Sequence, residues 1–89
     1  MDNIDMKSIV ILNHRALYKI ARDIRNDWAN VNYAAKPYLD AMEQLTSIND
    51  TFFMDDAKSV VLYFLANASG WRGAKAREIK AELKQIINQ

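Results

Sequence analysis

Cysteine is absent from the 89 residues. That rules out a disulfide framework and a thiolate metal site, and it fits a reducing compartment. One proline and two glycines are too few chain-turning residues for a turn-rich all-β domain. A charge excess is missing too. Twelve basic and eleven acidic side chains leave a net charge of +1, so bulk charge points to neither nucleic acid nor a membrane. No apolar run approaches the roughly 20 residues that cross a bilayer. The first five residues carry two Asp, where a secretory leader would carry Lys or Arg. The expected location is therefore the cytoplasm.

What is present favours helix. Hydrophobic residues make up 51% of the chain, with two Trp, four Tyr and three Phe. Ala, Leu, Ile, Lys and Arg are abundant, and all but Ile are strong helix formers. A chain of this length makes one domain, residues 1–89, with a small core. The expected architecture is all-α: a compact bundle of about four helices.

Its organising element is residues 55–69, DDAKSVVLYFLANAS, in which residues 60–66 are apolar without a break. A helix apolar on all sides must be covered on several sides. Asp55 or Asp56 suits its start, both as a cap and against the positive end of the dipole. Gly70 stands where a left-handed closing residue is wanted.

Residues 1–7 read as a loose arm. Residues 8–12, SIVIL, read as a leading helical turn or as an extended piece on the core. Asn13 can cap a helix over 14–29, with Leu17, Ile20, Ala21, Ile24 and Trp28 on one face. Arg15, Lys19, Arg22 and Arg25 fall largely on the other. A second helix spans 33–45, its regular part starting nearer Lys36 because Pro37 is tolerated only in a first turn. Residues 46–54, TSINDTFFM, are the longest non-periodic stretch, and Phe52 and Phe53 should be tucked under neighbouring helices. Ser69 can cap a last helix over 73–87, with Ala76, Ile79, Leu83, Ile86 and Ile87 on its apolar face.

Chemistry-bearing constellations are missing. His14 reads as a polar first-turn residue rather than a catalytic base, and no serine sits in a nucleophile elbow. Asp50, Asp55 and Asp56 lack the alternation and glycine bend of a calcium loop. Gly70 and Gly73 form no phosphate-cradling pattern. No enzyme, cofactor or metal is expected.

Charge is uneven along the chain. Residues 71–89 hold Arg72, Lys75, Arg77, Lys80 and Lys84 against Glu78 and Glu82. Trp71 beside Arg72 is the residue pair that binding hot spots favour. With Lys75, Arg77, Lys80 and Lys84 it forms the candidate partner-binding corner, unless Trp71 folds back to seal the core. The first-helix stripe of Arg15, Lys19, Arg22 and Arg25 is a second basic face. A helix–turn–helix outline, with the basic last helix on nucleic acid, is the alternative. Uncovered aromatic surface would favour a protein partner, a homodimer or a place in a larger assembly.

The block AAKPYLDAM at 34–42 and residues 59–83, VLYFLANASGWRG at 61–73 above all, resemble short uncharacterised proteins encoded by bacteriophages and prophages. The resemblance carries no catalytic motif. It implies a small phage-type accessory protein in the bacterial cytoplasm that binds and modulates or inhibits a host macromolecule.

Overall fold

The computed structural model describes residues 14–88. Within it the order is α1 Leu17–Asp27, α2 Lys36–Met42, β1 Thr51–Phe52, β2 Asp55–Asp56, α3 Ala57–Ala66 and α4 Ala74–Ile87. The chain is broadly helical, but a two-stranded hairpin interrupts the bundle. The arm at 1–7, the apolar run at 8–12 and the Asn13 cap lie outside the described residues.

Helix α1 starts later than the residue-14 start the pattern suggests, and His14 lies ahead of it. Ala16 holds the N-cap position, and no side chain caps the helix. Its free N–H groups are satisfied across the fold instead. Leu17 N–H donates to Thr46 O at 3.0 Å and Tyr18 N–H to Leu45 O at 2.9 Å. The chain leaving α2 therefore closes the start of α1. Leu17, Ile20, Ala21 and Ile24 are buried, the one-sided spacing of a surface helix.

Asn32 organises the entry to α2. Its carbonyl accepts from Ala35 and Lys36, and its side-chain oxygen accepts from Ala34 N–H. Regular helix begins at Lys36 with Pro37 in the first turn, where a missing N–H costs nothing.

The hairpin corrects two expectations. Asp55 and Asp56 are strand rather than helix, pairing with Phe52 and Thr51 respectively. Phe52 is half-buried against the core, but Phe53 is 88% exposed and Met54 98% exposed. Phe53 is also the only described non-glycine residue with a positive φ, 57°. Asp50 holds the loop before the hairpin, its carboxylate accepting from Thr46 N–H and Ser47 N–H at 2.9 Å each.

Asp56 caps α3 by accepting from Ser59 N–H at 2.7 Å. Ala57, Val60, Val61 and Phe64 are buried. Leu62 and Tyr63 remain 45% and 52% exposed, so the apolar helix is covered on one broad face only. Asn67, not Gly70, closes it, and Gly70 has no positive φ. Gly73, not Ser69, takes the N-cap of α4 at φ 111°, a backbone setting that favours glycine. Helix α3 packs on α2 and α4, and α1 lies between α2 and α4.

Two tryptophans and one phenylalanine anchor the core. Trp28 stacks on Trp71 with centroids 5.8 Å apart and planes 9° apart. Phe64 meets both edge-on, at 6.2 and 6.4 Å. Such pairs add roughly 0.5–1.5 kcal/mol beyond their buried area. Ala68, Ile79, Leu83 and Ile86 belong to the same apolar cluster.

Candidate functional site

The corner built around Trp71 divides into a buried half and an exposed half. Trp71 itself is only 2% exposed. Its indole N–H donates to Asp27 Oδ2 at 2.8 Å, which ties the α3–α4 connection to the end of α1. The exposed tryptophan of the expected binding corner is thus corrected: this ring completes the core and offers nothing to a partner.

Lys80 is also occupied. Its ammonium donates to Ala68 O and Trp71 O, each at 2.7 Å, and lies 5.7 Å from the Trp71 ring centroid. These carbonyls follow α3, where an oriented positive charge complements the helix dipole. Burial, and after it the neighbouring Lys84 and Arg72, hold the Lys80 pKa below its ordinary range. Lys75 lies 3.6 Å from Glu78. Of the six residues of the expected corner, Arg72, Arg77 and Lys84 are left exposed with no carboxylate partner among the described residues. Arg77 and Lys84 stand seven residues apart, on the same edge of α4 as Lys80.

The α1 stripe is largely neutralised. Arg15 reaches Glu82 of α4 with two nitrogens, at 2.9 and 2.8 Å, and also Asp23. Hydrogen bonds to Glu82 and then Asp23 raise its pKa further. Arg25 is held by Glu43 and Asp40 of the α2 region. Arg22 lies over the Tyr18 ring at 5.5 Å, and Lys19 is exposed. So α1 and α4 are neighbours, yet their basic faces do not merge into one patch.

The carboxylates explain why. Asp23 and Glu82 serve Arg15, Asp40 and Glu43 serve Arg25, and Glu78 serves Lys75. Asp27 accepts from the indole, and Asp50 and Asp56 accept from backbone N–H groups. Among the described residues Asp55 is the acid left without a partner. A chain of nearly balanced charge therefore presents mostly uncommitted cations.

Clefts also mark the surface of the described residues. One of about 480 Å³ is lined by Arg25, Trp28, Ala29, Asn30, Val31 and Lys36. A second, about 280 Å³, lies between the chain at 14–17, the loop at 46–49 and Ile86. No three His, Asp or Glu side chains come together among the described residues, and no described helix is long and apolar enough to cross a membrane.

The Asp27–Trp71 bond joins residues 44 apart in sequence, a separation at which no local pattern operates. No protein-family model matches the chain, and no curated protein or solved structure matches it either.

Proposed function

We propose that this chain is a non-enzymatic helical interaction module, a phage-type accessory protein that binds and modulates an acidic host macromolecule through the outer edge of α4. The observation that carries this reading is the distribution of pairing. Among the described residues the fold uses every carboxylate but Asp55 internally and leaves Arg72, Arg77 and Lys84 exposed and uncommitted. A partner engaging them breaks no existing ion pair. Helix α3 also leaves Leu62 and Tyr63 45% and 52% exposed, the Tyr63 ring lying against Tyr38 of α2. Arginine and aromatic side chains are the types that protein interfaces favour.

Protein is the favoured partner class. A helix reading base edges would do so from its first turns. The first turn of α4 carries Ala74, a Lys75 already paired with Glu78, Ala76 and a single uncommitted cation, Arg77, and the exposed edge runs on to Lys84 near the other end of the helix.

Capture on the immobilised protein from bacterial lysate, with and without nuclease, tests the proposal. A discrete protein retained after nuclease, and lost with Arg72→Glu/Arg77→Glu/Lys84→Glu, is expected. Retention that disappears with nuclease, and affinity for purified nucleic acid that falls steeply between roughly 50 and 200 mM salt, would replace it with the nucleic-acid reading.

A further inference from the structure

The hairpin tip is the least economical part of the molecule. Phe53 holds a left-handed backbone that side chains other than Gly, Asn or Asp rarely adopt. It presents its ring to solvent, and Met54 follows at 98% exposure. Asp55, the uncommitted described acid, comes next.

The cleft lined by Trp28, Val31 and Lys36 offers the complement. Trp28 and Val31 are only partly buried and pack against the core. Lys36 is exposed at its margin and has no carboxylate partner among the described residues. Its volume, about 480 Å³, exceeds that of one aromatic side chain.

Knob and cleft sit at opposite ends of the same helix. The hairpin runs directly into Ala57, the first residue of α3. The cleft belongs to the α1–α2 connection, which Asn32 fastens to the far end of α3 by donating to Asn67 O at 3.2 Å. A knob at one end cannot fill a cleft at the other end of its own molecule.

We infer that the Phe53–Met54 knob of one copy enters the Trp28–Val31 cleft of a second copy, with Asp55 meeting Lys36. This is a head-to-tail contact between two different surfaces. It leaves a free knob and a free cleft at the two ends of every assembly, so it adds copies without closing into a twofold dimer. The contact is small, and interfaces of this size are weak. Association therefore belongs at high protein concentration.

Sedimentation equilibrium of the full chain tests this. The expected mass average rises steadily with concentration and passes twice the monomer mass. Phe53→Gly keeps the turn backbone comfortable while deleting the knob, so it should stay folded and weaken association at least tenfold. Asp55→Lys and Lys36→Glu should each weaken it severalfold, and the two together should restore it. Far-UV circular dichroism confirms that each variant is folded. A monomer throughout, a plateau at the dimer, or association indifferent to these substitutions would overturn the inference. Association driven by any other segment gives the last result.

Discussion

Asp27 is a solvent-facing residue with a structural duty. Its carboxylate satisfies the indole N–H of a ring that is 2% exposed. Asp27→Ala leaves that donor without a partner, which costs roughly 1–3 kcal/mol. Asp27→Asn keeps an acceptor oxygen and should lose less. Chemical denaturation of the two variants, at matched slopes, checks the order. Equal losses would show that the bond contributes little. Both readings of Trp71 were open in the sequence because its neighbours Gly70 and Arg72 suit a surface turn as well as a core lid. What decides between them is Trp28, 43 residues away, stacked on its face.

Two other acids tie stability to pH. Backbone N–H groups of Ser47 and then Thr46 hold the Asp50 carboxyl below its usual range, and the Ser59 N–H does the same for Asp56. A carboxyl with a lower pKa in the folded state lends stability that is complete above the unfolded value of 3.8. That stability is lost as pH falls through the folded value. Thermal midpoints should therefore be flat above about pH 5 and drop between about pH 4 and 2. Asp56→Asn keeps a capping oxygen without the titration and should shallow that drop. An unchanged acid limb would assign it to other groups.

At the scale of elements, apolar periodicity identified the helices, but contacts between elements set their ends. Leu17, Ile20, Ala21 and Ile24 recur with helical spacing, as do Ala76, Ile79, Leu83 and Ile86, and both sets are buried. The start of α1 was not legible because its first two N–H groups bond to Leu45 and Thr46 carbonyls, a tertiary cap with no sequence sign. The hairpin was not legible because its turn is Phe53-Met54 rather than the Asn-Gly or Gly-X pair that such turns favour. Of the two caps the sequence offered, Asp56 takes the role and Asp55 goes to the strand pairing.

Helix α3 ends on a cation supplied by α4. Lys80 satisfies the carbonyls of Ala68 and Trp71, the role that a left-handed glycine was expected to fill at Gly70. Lys80→Met keeps most of the apolar stem and removes the charge. It should cost about 1–2 kcal/mol, the lower part of the range for charged hydrogen bonds because the site is half-exposed. Hydrogen exchange at the end of α3 should accelerate more than at the middle of α1. Uniform acceleration would mean that Lys80 supports the whole core rather than this junction.

Across the whole molecule, the sequence located basic residues but not their commitments. Five cations in residues 71–89 were visible as composition. Pairing then separated them: Lys75 has Glu78, Lys80 has two carbonyls, and Arg72, Arg77 and Lys84 remain. The same accounting removed Arg15 and Arg25 from the α1 face, each held by two carboxylates. Net charge is silent on this difference because it counts a paired and an unpaired arginine alike. The proposed surface of Arg72, Arg77 and Lys84 is therefore a selection that the fold makes among cations the sequence named.

The most direct measurement compares two variants of equal net charge in capture from nuclease-treated lysate. One reverses the α4 edge, Arg72→Glu/Arg77→Glu/Lys84→Glu. The other reverses three cations elsewhere that have no carboxylate partner among the described residues, Lys19→Glu/Arg22→Glu/Lys36→Glu. The account predicts that the α4 variant loses the partner retained by the wild type, while the second variant holds it and both keep the helical spectrum. Equal loss in both would reduce the surface to non-specific charge attraction. Retention by the α4 variant would contradict the assignment outright.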